Sequence, residues 1–293
     1  MAKTVRVLLH AGLGNQMFMY AAGRALALRT GSRLVLELRR FVYENTYHRI
    51  FLLGRFPIAG EIDEGRGVSR KLGRQVEARI LHSPSLRRLW GLRLEQSPNV
   101  YEPDLVDAPP HRSVILDGYW QSERYFADHA ETIRRELAPP RPTQPDILAD
   151  LARVESNPYP VAVCIRTFRE IADVHVDMPA IQAAYRRVLV RHAAQRPGAT
   201  YFLATDSPEA FSDPDCLGVP FTIIGRSIGN EAAPENLHVL TRCREYVLGF
   251  SSFHWWAAWL SAASSPPVTY LRFPSDTRSD FVPAGWTVIT AGD

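Results

Sequence analysis

The sequence VAVCIRT at residues 161–167 begins the stretch that decides the fold class. Its first five residues are apolar, which is the pattern of a strand buried on both faces. Strand and helix patterns then alternate to the end of the chain. We predict strands at 161–165, 201–204, 221–224, 246–249 and 268–271, and helices at 181–194, 235–243 and 253–263. This alternation predicts a parallel sheet covered by helices on both faces.

The first half of the chain starts in the same way. Residues 5–9 form a short apolar run that ends before Gly12 and Gly14, residues 17–28 read as a helix, and residues 34–36 as a second strand. A further strand is predicted at 114–116 and a helix at 127–137. These patterns predict a separate N-terminal α/β domain.

Prolines mark the junction between the two halves. They stand at positions 139, 140, 142, 145, 158 and 160. Proline-dense polar segments with few helix or strand signals are typical of linkers. The sequence therefore predicts an N-terminal domain over 1–150 and a C-terminal domain over 151–293.

The composition excludes several classes of protein. The 293 residues are 46% hydrophobic and 22% charged, which is ordinary for a globular protein and excludes a disordered chain. A net charge of +3 is too balanced to indicate a nucleic-acid partner. Three cysteines in no metal-binding pattern, and a start without signal-peptide features, favour the cytoplasm.

Two segments raise the question of membranes. Residues 66–93 carry seven arginines and one lysine against a single acid, Glu77. A solvated helical face is the favoured interpretation, and peripheral contact with an anionic membrane or a lipid-linked acceptor is the alternative. Residues 246–271 lack charge, but their serines and paired prolines favour a strand, a loop and a core helix over a membrane span.

Polar residues follow several of the predicted C-terminal strands. In parallel sheets, ligands bind beyond the carboxyl ends of the strands. Arg166 is placed to hold a phosphate, or to pair with Glu170 or Asp173 on the surface. Asp206 could accept from a nucleobase or ribose, or cap a helix.

Two further segments could bind a ligand. Ser251, Ser252 and Phe253 precede an aromatic-rich helix, and their amides and hydroxyls predict an anion site, whereas the tryptophans that follow read as core. Asn15 and Gln16, at a glycine-rich strand-to-helix turn, offer amides suited to sugar hydroxyls or phosphate. A plain glycine turn is the alternative. The chain contains no G-x-G-x-x-G or Walker motif, so nicotinamide or ATP binding has no support.

Several quoted strings resemble one enzyme family. LGNQMFMYAAGRALAL, HRIFLLGRFPI, LDGYWQSERYF, FLATDSPEAF, SSFHWWAAWL and VPAGWTVI occur in the order found in the bacterial α-1,2-fucosyltransferases of glycosyltransferase family 11. The resemblance covers nearly the whole chain. It implies a GT-B-like fold, with two Rossmann-like domains facing a cleft, and an acceptor side in the N-terminal domain.

The resemblance also implies an activity. It implies inverting transfer of L-fucose from GDP-β-L-fucose to a galactoside hydroxyl of a glycan or lipid-linked oligosaccharide, without a cofactor or a required metal. The donor-binding residues implied together with the strand-end pattern are Asn15, Gln16, Arg166, Asp206, Ser251, Ser252 and Phe253. Arg166 is also expected to stabilise the leaving diphosphate.

The chain departs from the family at one motif. The family has H-x-R-R-x-D where this chain has Cys164, Ile165, Arg166, Thr167, Phe168 and Arg169, so only the first arginine is retained. His254 stands where the family has serine, and Phe250 where it has asparagine. Glu170 and Asp173, and beyond them Asp177, are carboxylates that could replace the lost base.

Three alternatives remain from the sequence. The first is a transferase for another GDP-hexose or another acceptor, and the second is a non-catalytic GDP-sugar-binding relic. The third is a nucleic-acid or membrane-binding module built on residues 66–93, which would show salt-dependent binding without nucleotide preference.

Overall fold

A computed structural model of the chain describes residues 3–43, 48–65, 83, 85, 92–94, 100–107, 113–167, 177–225 and 230–292. The chain divides into two compact units, Met1–Ala138 with Arg278–Pro283 and Pro139–Thr277 with Ala284–Asp293. The division at 138/139 precedes the boundary that we predict at residue 150. A single boundary also does not account for residues 278–283, which belong to the first unit.

The first unit is built on a parallel sheet. Its strands are β1 (Thr4–Leu8), β2 (Arg33–Glu37), β3 (Glu61–Asp63), β4 (Leu92–Leu94) and β5 (Val114–Asp117), in the order β3-β2-β1-β5-β4. Its helices are α1 (Leu13–Thr30), α2 (Arg39–Tyr43), α3 (Asp104–Asp107) and α4 (Ala130–Glu136). The strand order reverses between β1 and β5, which pair in parallel with Val7 opposite Leu116.

Helix α1 lies close against β1. Most of its residues are buried, including Phe18 and Leu26, because the segment is rich in apolar helix formers. Gly23 makes the close approach possible, since a Cβ at this position would lie 2.2 Å from Cγ2 of Val7. The packing of α1 on the sheet therefore depends on a missing side chain.

We expect Gly23→Ala to destabilise the protein. The methyl group must displace Val7 in a packed core, which costs about 1–3 kcal/mol, and the gain in helix propensity recovers up to about 1 kcal/mol. Chemical denaturation measures the free energy of unfolding. Gly198→Ala is the matched control, because a Cβ on Gly198 meets nothing within 4 Å. Equal stabilities of the two variants would contradict the close packing of α1 on β1.

The second unit is built on a larger parallel sheet. Its strands are β6 (Pro160–Ile165), β7 (Thr200–Thr205), β8 (Phe221–Ile224), β9 (Glu245–Leu248), β10 (Val268–Arg272) and β11 (Thr287–Thr290). Its helices are α5 (Pro145–Glu155), α6 (Met178–Gln195), α7 (Ala233–Thr241) and α8 (Ser252–Trp259). The predicted strand at 161–165 is buried along its whole length. Val161, Val163 and Ile165 pack with Tyr185 and Leu189 of α6 in one core cluster.

The strand order of this sheet is β11-β10-β9-β6-β7-β8. Three strands follow one another outward from β6 in one direction, and three follow outward from β9 in the other. This is the doubly wound order of dinucleotide-binding folds, in which the crevice at the reversal point is the usual ligand site. Here the reversal lies between β6 and β9, which pair with Cys164 opposite Leu248.

The structure contains two elements that the sequence analysis does not include. Residues 145–155 form helix α5 within the proline-marked junction, because Pro145 fits the first turn of a helix and Ile147, Leu151 and Val154 supply a buried face. Strand β11 was missed, since TVIT is short and largely exposed at the sheet edge.

The uncharged segment 246–271 forms β9, α8 and the start of β10. Among the residues that the structure describes, no helix has the length and apolar character needed to cross a membrane.

Candidate functional site

The polar residues predicted at strand ends come together in the second unit. Arg166 follows β6, Asp206 follows β7, and Ser251 follows β9, and these three strands are neighbours in the sheet. The register places Ile165 opposite Thr205 and Cys164 opposite Leu248, so the strands end at the same edge. Arg166 and Ser251 thus lie on the two sides of the reversal point, where this fold binds ligands.

Arg166 is held by Asp206. The guanidinium Nη1 donates to Oδ2 of Asp206 at 2.7 Å. The other carboxylate oxygen accepts from the Thr167 amide at 2.8 Å and from its hydroxyl at 3.0 Å. Thr167 and Ser207 are both buried, and their hydroxyl oxygens are 2.7 Å apart. Because both oxygens of Asp206 accept hydrogen bonds within the protein, the carboxylate fixes the direction of Arg166.

Helix α8 begins beside this pair. Ser251 is its N-cap, with extended backbone and a hydroxyl that accepts from the His254 amide at 3.3 Å. The first amides of a helix have no acceptor within the helix, so those of Ser252 and Phe253 are available to an anion. Both residues are half-buried. The arrangement can neutralise a diphosphate with one guanidinium and a helix N-terminus.

His254 adds an unexpected group to this site. It is 6% exposed, and within the described part of the chain its Nδ1 has no hydrogen-bond partner. Burial and the charge of Arg166 lower the pKa of the imidazole to about 4, against a smaller opposing effect of Asp206. The ring is therefore neutral at pH 7. The sequence marks His254 only as a departure from the family and does not predict it as a site residue.

The tryptophans of α8 are core residues, as predicted. Trp255 and Trp256 are fully buried, and Trp259 is nearly so. The rings of Trp255 and Trp259 stack at 6.0 Å, and Trp286, near β11, lies 5.6 Å from Trp255. This cluster anchors α8 in the core and thereby fixes the position of the N-terminus of the helix.

Asn15 and Gln16 belong to the first unit. Gln16 is fully buried, its Nε2 donates to the carbonyls of Ala11 and Ile50 at 2.9 Å, and its Oε1 accepts from the Leu52 amide at 3.0 Å. These bonds use both donors and one acceptor site of the carboxamide, so Gln16 fastens two loops. Asn15 is half-buried and accepts from Gln121 Nε2 at 2.7 Å through its Oδ1.

The carboxyl edge of the first unit carries an aromatic pair. His10 follows β1 and Tyr119 follows β5, and their ring centroids are 5.1 Å apart at an angle of 41°. Both side chains are half-buried. The guanidinium carbon of Arg49 lies 4.0 Å from where a Cβ on Gly12 would be, so a cation is near the same turn. Sequence analysis missed this pair, because only the adjacency of β1 and β5 brings it together.

The structure describes only some of the remaining residues that the sequence analysis selects. Glu170 and Asp173 lie outside the described residues, as does nearly all of the basic segment 66–93. Asp177 is described and caps α6, where its Oδ1 accepts from the Ala180 amide at 3.0 Å. Within the described ranges, no group of three or more His, Cys, Asp or Glu side chains is arranged to hold a metal ion.

Comparisons with known proteins agree with the geometry. The family model of glycosyl transferase family 11 matches residues 224–289, which include β9, α8 and β10. An alpha-1,2-colitosyltransferase of Escherichia coli is 27% identical over 263 residues, covering 86% of this chain and 86% of the relative. Together they confirm the predicted resemblance to this family.

Solved structures support the fold. NodZ alpha-1,6-fucosyltransferase, from Bradyrhizobium and co-crystallised with GDP, is similar with a TM-score of 0.56 at 17% identity, over 89% of this chain and 93% of that chain. A mutant of Arabidopsis thaliana FUT1 in complex with GDP gives a TM-score of 0.55 at 12% identity, over 95% of this chain and 72% of that chain. The α/β fold is GT-B-like, as predicted.

Proposed function

Because the chain is a glycosyltransferase related to family 11, we propose that it transfers L-fucose from GDP-β-L-fucose to a galactoside hydroxyl. We propose an α-1,2 linkage with inversion at the anomeric carbon. The family match supports the reaction class, and the names of the similar structures support the donor. The relative's name supports the 1,2 linkage.

The single observation that carries this proposal is the Arg166–Asp206 pair beside the N-terminus of α8. We assign the donor diphosphate to Arg166 and to the Ser251, Ser252 and Phe253 segment. Asp206 positions Arg166 in this assignment, because its oxygens accept from Arg166 and Thr167. The second unit is thus the proposed donor side.

The same groups supply the main chemical assistance. Glycosyl transfer passes through an oxocarbenium-like state while negative charge grows on the leaving diphosphate. A preorganised guanidinium and helix amides stabilise that charge without reorganising during the reaction. We propose that no metal ion is required, since these groups provide the positive field.

A nucleotide panel tests the donor. We expect GDP to raise the melting temperature more than UDP or ADP at equal concentration, because specific binding stabilises the folded state by mass action. Transfer from GDP-fucose to lactose, assayed with and without EDTA, tests the reaction and the metal together. Equal shifts for GDP and ADP would exclude a guanine donor, and loss of transfer in EDTA, restored by manganese, would contradict the metal-free mechanism.

A second donor sugar is favoured by one observation. The relative that is 27% identical is named a colitosyltransferase. The GDP derivative of colitose therefore belongs in the transfer assay beside GDP-fucose. If colitose were transferred faster than fucose, colitose would replace fucose as the proposed donor sugar. The proposed nucleotide and the proposed donor site would stay the same.

A carboxylate is the proposed base. Arg169 stands where the family motif has an aspartate, and an arginine cannot accept a proton at neutral pH. We propose that Glu170 or Asp173 accepts the proton of the acceptor hydroxyl. Glu170→Gln or Asp173→Asn should lower kcat by about a hundredfold or more and leave GDP affinity nearly unchanged.

The control for this prediction is Asp177→Asn. Asp177 is the third nearby carboxylate, but it caps α6. The Asp177→Asn variant should therefore lower the free energy of unfolding more than it lowers turnover. Normal turnover by both Glu170→Gln and Asp173→Asn would exclude a carboxylate base at these positions.

A further inference from the structure

His254 is a buried histidine in the first turn of helix α8. It is the third residue of the helix, after Ser252 and Phe253, and its amide donates to the hydroxyl of the N-cap Ser251 at 3.3 Å. Side chains of an α-helix lean toward the N-terminus of the helix. The imidazole of His254 is therefore directed back toward the helix amides that we assign to the donor diphosphate.

One nitrogen of this imidazole has an unmet hydrogen bond. Within the described part of the chain, Nδ1 of His254 is buried and has no hydrogen-bond partner, in a residue that is only 6% exposed. A buried polar atom without a partner costs free energy, so each such atom in a native protein requires an explanation. An apolar side chain could fill this space without that cost. The histidine therefore brings a chemical property that packing alone does not need.

Among the described residues, two charged groups act on the imidazole, Arg166 and Asp206. They form the 2.7 Å ion pair at the ends of β6 and β7, so the ring lies within electrostatic reach of the guanidinium that we assign to the diphosphate. Helix α7, which packs against α8, carries Glu235 and His238, and these side chains contact the segment at 139–144. The charge felt by the imidazole is thus set by the proposed donor site.

A bound diphosphate would change the protonation of His254. In the free protein, burial and then the positive charge of Arg166 hold the pKa of the imidazole at about 4. A diphosphate on Arg166 brings negative charge to the same place, offsets the guanidinium and raises the pKa of His254 toward its ordinary range. A protonated imidazole donates from both nitrogens, and phosphate oxygens are its natural acceptors.

We infer that His254 is a ligand of the donor diphosphate, which it binds as an imidazolium after taking up one proton from solvent. When the bond between the sugar carbon and the β-phosphate oxygen breaks, its electron pair stays on that oxygen. The imidazolium and Arg166 together stabilise the added negative charge. The proton returns to solvent when GDP leaves. This inference rests on the proposed function and deepens it, because it makes donor binding depend on pH.

Calorimetry of GDP-fucose binding without acceptor, in buffers of different ionisation enthalpy, counts the protons taken up. The diphosphate of a nucleotide sugar is a diester and lacks the second phosphate ionisation near pH 6, so any uptake belongs to the protein. At about pH 6 we expect the parent protein to take up roughly half a proton or more for each donor bound. His254→Gln should take up none, because glutamine does not titrate.

The affinity for GDP-fucose should follow the same proton. In the parent protein it should rise about tenfold between about pH 8 and about pH 5.5, because a group whose pKa is higher in the complex favours binding below that pKa. His254→Gln keeps an amide donor but cannot take up a proton, so its affinity should not vary over this range. His254→Leu has no donor and should bind about tenfold or more weakly than the parent protein at about pH 5.5.

His238→Gln is the matched control, since His238 is a half-buried histidine of the same unit, on α7. It should keep the proton uptake and the pH dependence of the parent protein. Thermal unfolding identifies a variant that fails to fold, and the proton count on the parent protein tests the inference without any variant. Binding of GDP-fucose without proton uptake, or equal uptake by His254→Gln, overturns the inference alone. Failure of the parent protein to bind GDP-fucose overturns the proposed function instead.

Discussion

Arg166→Ala should abolish most donor binding and nearly all transfer. The guanidinium is oriented by a 2.7 Å bond to Asp206, and its side chain is only 23% exposed. Loss of one charge-assisted phosphate contact costs about 1.5–3 kcal/mol, which weakens GDP binding about 10- to 150-fold. Because the contact strengthens as charge grows on the leaving group, turnover should fall by about 10²–10³.

Calorimetric titration with GDP and a steady-state transfer assay measure the two effects separately. Arg242→Ala is the matched control, because Arg242 pairs with Glu155 at 2.9 Å on the surface of the same unit. An exposed pair of this kind contributes little, so binding and turnover should stay near the parent values. Unchanged GDP affinity in Arg166→Ala would remove Arg166 from the donor site.

Gln16→Leu should destabilise the protein by about 3 kcal/mol or more, the second large effect that we expect. The substitution keeps the approximate size but leaves two carbonyls and one amide without partners, and each such buried group costs about 1–3 kcal/mol. The affected groups belong to Ala11, Ile50 and Leu52, so the turn before α1 and the loop at 50–52 lose their connection.

Urea denaturation of the parent protein and the variant measures this difference. Gln182→Leu is the control, since the Gln182 amide donates one bond, to the Ala210 carbonyl at 2.7 Å, and the side chain is only half-buried. Its expected cost is about 1 kcal/mol. If Gln16→Leu retained full stability but lost GDP binding, the donor-contact role predicted from the sequence would be restored.

Strand and helix positions in the second unit were accessible from the sequence, because buried parallel strands are continuous apolar runs that alternate with helical patterns. The predicted strand at 221–224 matches β8 residue for residue, and the predicted helix at 181–194 lies within α6. These apolar runs also show where each strand ends, so Arg166, Asp206 and Ser251 could be selected as site residues from the sequence alone.

The hydrogen-bond and ring partners of the site residues could not be predicted from the sequence. Asp206 is 40 residues from Arg166, and nothing in either segment tells a base contact from an ion pair. Gln16 looks like an exposed loop amide until residues 50 and 52 fold against it. Strands β2 to β5 lie between His10 and Tyr119 in the sequence, so only the strand order reveals that the two rings meet.

The return of residues 278–283 to the first unit has a consequence for synthesis. Phe281 is fully buried and lies 6.0 Å from Phe18, and Asp280 accepts from the Tyr101 amide and from Arg124. A ribosome must therefore translate past residue 281 before the N-terminal unit can complete its core. Strands β6 to β10 all precede that point. Domains usually fold in the order of translation, whereas in this chain the first unit to be translated cannot finish before strands β6 to β10 of the second unit have been synthesised.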